Sequence, residues 1–251
     1  MKTTIQYAGH EFECDLSEPL DISIPVSRGG SPNAFFLHQP SFITVESGGF
    51  IGDVKRGGSC NVEDIYLSPH GNGTHTECAG HISNEKISIL ESLREYFFLA
   101  RLITLEPVNR EAQSVLDSGS IKKIMDKNDL EVRALIIRTL PNLPSKRSHN
   151  YSGSNPPFCT SGFIEHVNSL GVHHLLVDLP SLDREDDSEL KAHHTFFGNT
   201  LSLSIEKTVT ELIYVPEEYQ DGLYWLNLVP APIESDASPS KPILYRTRMK
   251  E

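Results

Sequence analysis

Alternation of apolar and polar positions marks the opening of the chain as β-structure. Thr3-Thr4-Ile5-Gln6-Tyr7, Glu11-Phe12-Glu13-Cys14-Asp15-Leu16 and Ile22-Ser23-Ile24-Pro25-Val26 read as strand pieces, and residues 27–34 read as a loop. Phe35-Phe36-Leu37 and Phe42-Ile43-Thr44-Val45 are further short β candidates. Residues 61–67 alternate again and deliver the chain into a glycine-rich run at 68–81.

The middle of the chain changes character. Residues 89–98 and 121–128 have helical spacing, around two nearly continuous apolar runs at 101–105 and 134–139. Such runs suit the buried centre of a sheet covered by helices. Residues 160–170 predict a helix with Thr160 or Ser161 as N-cap, Ile164, Val167 and Leu170 on one face, and Gly171 as C-cap. The strand 174–178 follows and ends in Leu179-Pro180-Ser181-Leu182-Asp183, completing a β-α-β unit. Residues 201–206 and 222–230 predict two more strands. With no repeat, low-complexity tract or separating linker, the expectation is a single α/β domain over residues 1–251, a mixed central sheet with flanking helices.

Composition narrows the function. A chain of 251 residues with 38% hydrophobic and 22% charged content is ordinary for a globular protein and can bury a substantial core. No apolar run approaches the ~18 residues of a membrane span. A formal charge of −12 argues against nucleic acid or an anionic membrane as partner, and the acidic run 183–189 reads as a solvated loop. The four cysteines, at 14, 60, 78 and 159, show neither metal-site nor disulfide spacing, and the first residues lack the apolar core of a signal peptide, so the expected location is the cytoplasm.

The candidate chemistry lies in Ser68-Pro69-His70-Gly71-Asn72-Gly73-Thr74-His75-Thr76-Glu77-Cys78-Ala79-Gly80-His81. His75 and Glu77 are two apart, so an extended backbone puts an imidazole and a carboxylate on one face, where they can share a divalent ion. His70 or His81 can complete that set. Further ligands are expected from the last third: one of the pair His193-His194, and Glu206, whose position beside Ser202 and Ser204 also suits a solvent-facing acid. Cys78 with His81 offers a metal-free reading, a cysteine nucleophile beside a base.

His75-Thr76-Glu77-x-x-x-His81, the later His194 and Glu206, and the closing Asp236-Ala237-Ser238-Pro239 resemble the metal-dependent cyclase family that includes bacterial kynurenine formamidase (arylformamidase). The likeness extends to Asp15-Leu16-Ser17 with Pro19-Leu20 and Pro25-Val26, to Ile136-Ile137-Arg138-Thr139, and to Asp178-Leu179-Pro180-Ser181-Leu182-Asp183. Against the family signature His-x-Gly-Thr-His-x-Asp-x-Pro-x-His, this chain keeps Gly73, Thr74, His75 and His81. It has Glu77 for Asp and Ala79 for Pro, and His70 stands one residue earlier than the pattern requires.

The resemblance implies a swivelling β/β/α fold and one or two divalent ions, zinc or manganese, on His70, His75, Glu77, His194 and Glu206, with one well-held ion favoured. It also implies His81 as the proton shuttle, with Ser181 and Asp183 near the site, and a homodimer or higher homo-oligomer. The implied activity is hydrolysis of a small amide, formamide or cyclic amide by a metal-activated water, kynurenine-type arylformamides being one substrate class within tryptophan catabolism. The rival is a catalytically silent relative that keeps the fold for binding or assembly. Phe35, Phe36, Phe196, Phe197 and Trp225 read as core.

Overall fold

The apolar runs in the middle of the sequence become the walls of a closed sheet. The computed structural model describes residues 1–29, 32–125, 131–199 and 202–250. The chain opens with an antiparallel hairpin, β1 (Lys2–Tyr7) and β2 (His10–Asp15). Seven later strands form a ring: β3 (His75–Cys78), β4 (Phe97–Leu105), β5 (Ala134–Thr139), β6 (His174–Val177), β7 (Thr208–Glu211), β8 (Gly222–Pro230) and β9 (Ala237–Met249). The order around it is β9-β8-β4-β5-β6-β7-β3, and β3 returns to β9. Strands β4 to β7 run parallel, and the remaining pairings are antiparallel.

Residues of the ring alternate between two cores because successive side chains leave a strand on opposite faces. Ala134, Ile136, Leu176, Ala100, Leu102 and Leu226 fill the interior. Leu135, Ile137, Leu175, Val177 and Ile103 form the outer core with Phe163, Ile164 and Val167 of one helix and Phe196 and Phe197 of another. Every residue of β5 and β6 is buried, as both-faced burial requires.

The four α-helices among the described residues are short: α1 (Ile89–Ser92), α2 (Ser118–Lys122), α3 (Ser161–Ser169) and α4 (Lys191–Phe197). Thr160 caps α3 through its hydroxyl, which accepts from the Phe163 N–H at 3.3 Å. The helical spacing of residues 89–98 is realised only as far as Ser92, since Phe98 and Leu99 are drawn into β4 and feed the two cores alternately. The helix expected at 121–128 lies partly outside the described residues, as does the loop at 27–34.

Residues 22–26 form no strand beyond an isolated bridge from Ser23 to Ile213, and two further strand expectations fail. Phe35 and Phe36 sit in a turn with φ of 57° and 55°, closed by the Leu37 N–H on the Ala34 carbonyl, and Phe36 is 76% exposed. Leu201 lies outside the described residues, and residues 202–207 form no strand. The ladder begins instead at Thr208, where the β-branched run Thr208-Val209-Thr210 pairs with β6 on one side and β3 on the other. Conversely, β9 is invisible to pattern reading because Pro239 and Pro242 interrupt it. No described helix is long and apolar enough to cross a membrane.

Candidate metal centre

Strand β3 presents its two faces to different chemistry. Thr76 and Cys78 look into the ring, where Thr76 Oγ1 lies 2.9 Å from Thr210 Oγ1. His75 and Glu77 look outward toward α4. In the β3–β7 ladder Glu211 is directly opposite His75, and Val209 opposite Glu77. Cross-strand neighbours share a face, so the register alone carries Glu211 to the ligand side. Two glycines let the chain pass close to its neighbours on either side of β3, Gly73 before it and Gly80 after it. Gly73 has φ of 141°, and a Cβ there would lie 3.0 Å from the Ile24 carbonyl oxygen; at Gly80 it would lie 2.1 Å from that of Ile87.

Helix α4 delivers the next ligand. Asp183 accepts from the N–H groups of Ala192 (2.6 Å) and His193 (3.0 Å), pinning the first turn, and also holds His193 Nδ1 at 2.6 Å. With Nδ1–H assigned to Asp183, the Nε2 lone pair of His193 points at Glu77 Oε1, 2.9 Å away, and at Glu211 Oε1, 3.6 Å away. His75 repeats the device: Nδ1 donates to the Gly73 carbonyl at 3.1 Å and Nε2 faces Glu211 Oε2 at 3.4 Å.

Three buried atoms, His75 Nε2, His193 Nε2 and Glu77 Oε1, consequently make no hydrogen bond. Two imidazole nitrogens and two carboxylates converge where water does not reach, and such an arrangement calls for positive charge, which a bound cation or protonation of the imidazoles can supply. Nitrogen and oxygen donors in this number suit zinc or a similar divalent ion. The partners behind the ligands, Asp183 and the Gly73 carbonyl, fix the imidazole tautomers as ligand-supporting groups do.

A second group adjoins the first through the other oxygen of Glu77. His70 Nε2 lies 3.9 Å and His81 Nδ1 3.7 Å from Glu77 Oε2. Asp236 Oδ2 is 3.0 Å from His70 Nε2 and 3.4 Å from His81 Nδ1. The triads His75–Glu77–Glu211 and His70–Glu77–His81 thus share one carboxylate. A 3-10 turn, Pro69–Gly71, accommodates the early position of His70 and still turns its ring to the cluster.

The charges reinforce one another. Burial, which opposes charging, is outweighed at His75 by the Glu211 carboxylate 3.4 Å away, and at His193 by Glu77, Asp183 and Glu211, so both imidazoles titrate above their ordinary range. The Glu77 charge raises His81 against its burial. Although burial alone would raise Glu211, the two histidines hold it down at about 2. The His70 and His81 contacts likewise depress Asp236 well below the carboxylate range.

Of the residues picked from sequence, His70, His75, Glu77 and His81 are brought together. His194 and Glu206 are not. One position along α4 from His193, about 100° around the helix, His194 is half-buried and joins none of the cluster contacts among the described residues; His193 takes the inward place. Glu206 is exposed ahead of β7, on the far side of the ring's rim beside Arg133 and His174. Glu211, absent from the sequence-based selection, is the acid that arrives; the alternation Val209, Glu211 beside Thr208, Thr210 was the available signal. Cys78 is fully buried on the inner face, its thiol donates to the Ile87 carbonyl, and burial raises its pKa, so the cysteine-nucleophile alternative has no support.

The chain is similar to known proteins in sequence and in fold. Kynurenine formamidase of Bacillus cytotoxicus is 28% identical over 235 residues, covering 92% of this chain and 95% of that protein. Kynurenine formamidase of Bacillus thuringiensis (strain Al Hakam) is 28% identical over 236 residues with the same coverage. In fold, the chain resembles a potential metal-dependent hydrolase with cyclase activity (TM-score 0.64, 16% identity, 91% of this chain and 98% of that one). It also resembles isatin hydrolase A of Labrenzia aggregata (TM-score 0.65, 13% identity, 92% and 94%). The Cyclase family model matches residues 14–184, a span that holds His70, His75, Glu77, His81 and Asp183 and stops short of His193 and Glu211. By that match, which covers more than half of its length, the chain belongs to the Cyclase family.

Proposed function

We propose that this protein is a metal-dependent hydrolase of C–N bonds other than peptide bonds, acting on a small amide, formamide or cyclic amide. The observation that carries the reading is the convergence of His75 Nε2, His193 Nε2 and Glu77 Oε1, buried and without hydrogen-bond partners. The names of the relatives, kynurenine formamidase and isatin hydrolase, supply the substrate class.

His75, Glu77, His193 and Glu211 would hold one divalent ion, zinc or manganese. His70 and His81 would stand on the other side of Glu77, where a second could bind. A divalent ion there supplies Lewis acidity, which strengthens water as an acid and a carbonyl as an electrophile. His81 is the proton carrier. Its Nδ1 lies 3.7 Å from Glu77 and 3.4 Å from Asp236 on a partly exposed ring, a place from which an imidazole can pass a proton to the leaving nitrogen near neutral pH. Asp183 and the Gly73 carbonyl fix the two ligand imidazoles before substrate arrives. The reading includes one domain over residues 1–251 of the swivelling β/β/α type, working as a homo-oligomer in the cytoplasm.

The test is metal analysis of protein purified without chelator, paired with hydrolysis of an arylformamide and of isatin. The expected result is stoichiometric zinc or manganese, cleavage of at least one substrate, and joint loss of both in His75→Ala. Metal-free protein that cleaves neither, or activity that persists in chelator, overturns the reading.

A further inference from the structure

Asp236 lies beyond the span that the family model matches, and backbone contacts on both sides set where its carboxylate goes. Its carbonyl accepts from the Cys78 N–H at 3.0 Å, the Ser235 carbonyl accepts from the Ile89 N–H at 2.8 Å, and Ala237 is paired with Glu77 in the β3–β9 ladder. The residue is thereby locked against the strand that carries His75 and Glu77. Gly80 belongs to the same fit: a Cβ there would lie 3.1 Å from the Asp236 Cβ, so the 3-10 turn Ala79–Ile82, which bears His81, settles directly against Asp236.

The side chain is held as firmly. Ser235 Oγ donates to Oδ1 at 3.1 Å. The other oxygen, Oδ2, faces two imidazole nitrogens, His70 Nε2 at 3.0 Å and His81 Nδ1 at 3.4 Å, which are 3.1 Å from each other. An ionised carboxylate can only accept, so an imidazole nitrogen bonded to it carries the hydrogen.

The imidazoles of the centre differ in how they are steadied. His75 and His193 are fixed from behind, by the Gly73 carbonyl and by Asp183. His81 has no such support: its Nε2 makes no hydrogen bond with any described residue, and its side chain is 27% exposed. Of the two carboxylates that face its Nδ1, Glu77 Oε2 stands at 3.7 Å, outside hydrogen-bond reach, which leaves Asp236 to set the tautomer and the tilt of the ring. This holds whichever way His70 is used. If His70 gives its Nε2 to an ion, Oδ2 is left to His81 alone; if it does not, the same oxygen takes both N–H groups.

We propose that Asp236 is the positioning residue of the proton carrier, accepting the Nδ1–H of His81 so that the Nε2 lone pair is turned to the substrate. The inference rests on the hydrolase reading above. Nε2 takes a proton from the attacking water as the water oxygen bonds to the carbonyl carbon, and gives it to the nitrogen as the C–N bond breaks; the Nδ1 hydrogen stays on the ring throughout. An imidazole anchored at one nitrogen and free at the other does this without rotating.

The experiment compares zinc-loaded native protein, Asp236→Asn, His81→Gln and the double variant by metal content, by hydrolysis of formanilide and of isatin, and by nitrogen NMR of the neutral His81 ring. Native protein is expected to carry the hydrogen on Nδ1, and Asp236→Asn, whose amide can itself donate, to shift it toward Nε2. That variant should keep its metal and hold KM within about twofold while kcat falls by at least about tenfold. In the His81→Gln background the same substitution should change kcat by less than about twofold, because the two residues act as one unit. Metal lost from Asp236→Asn or from His81→Gln, losses that add in the double variant, or hydrogen on Nε2 in active native protein would each overturn this assignment alone. Native protein that cleaves neither substrate overturns the hydrolase reading and the assignment with it. Should Asp236→Asn fail to fold, the tautomer of the native ring decides.

Discussion

Glu211 stands directly across the β3–β7 ladder from His75, with Oε2 3.4 Å from the imidazole Nε2. One register thereby places two prospective ligands from opposite halves of the sequence, and the same side of the ladder receives His193 from α4.

The two histidines of α4 should separate cleanly. His193→Asn is expected to lower bound metal and hydrolysis by more than about tenfold, whereas His194→Ala and Glu206→Gln should stay within about twofold of the native protein. Elemental analysis with parallel rate measurements checks this. Metal lost from His194→Ala and kept by His193→Asn would reverse the assignment.

Asp183→Asn keeps the shape but loses the charge behind His193 and can present an amide N–H to Nδ1, favouring the wrong tautomer. The expectation is a loss of about 10- to 100-fold in metal affinity or activity with little change in folding. Competition titration with a chromophoric chelator measures it. Unaltered affinity would mean that Asp183 serves only to cap α4.

Asp178 is fully buried. Burial raises its pKa against the Lys146 ammonium 2.8 Å away and the Thr139 N–H and hydroxyl. Lys146→Met strands that carboxylate and is expected to cost about 3–5 kcal/mol, read from denaturant unfolding at pH 7. A change below 1 kcal/mol would show that Asp178 is carried protonated.

His174 gives a pH signature. Burial lowers its pKa from 6.5 to about 3, so the unfolded chain binds the extra proton between those values. Its contribution is present above pH 6.5 and is lost as pH falls toward 3, about 2 kcal/mol by pH 5. Between pH 7 and 5 the native protein should therefore lose more stability than His174→Phe; parallel slopes would remove His174 from the account.

Chelation should produce the opposite trend. In the metal-free protein His75, His81 and His193 have raised pKa values, so their protonated forms supply the missing positive charge. That stabilisation is complete below about pH 6.5 and fades as pH climbs through the folded values. Melting temperatures of chelator-treated protein should fall from pH 6.5 to 9 more steeply than those of the metal-loaded protein. Equal slopes would argue against the raised values.

Much of this was legible in the residues. The buried runs at 101–105 and 134–139, the α3 helix with its Thr160 cap, and the outward pair His75 and Glu77 follow from periodicity. The histidine pair at 193–194 was found but its choice was not, because which side of a short helix faces inward is set by packing of Phe196 and Phe197. Glu211 escaped because a four-residue strand gives too little alternation to outweigh the longer pattern at 201–206, a pattern that no partner strand takes up. Helix length at 89–98 was overridden by the pull of β4 into two cores.

The β9 strand has a temporal meaning. Its first residues, Ala237 to Pro239, pair with Glu77, Thr76 and His75. On a ribosome, the stave bearing those two ligands has no neighbour on that flank until nearly the whole polypeptide has been made. Capture of the proposed ion would then be a late event of biogenesis, and a nascent chain stalled before residue 237 would be expected to emerge unable to retain it.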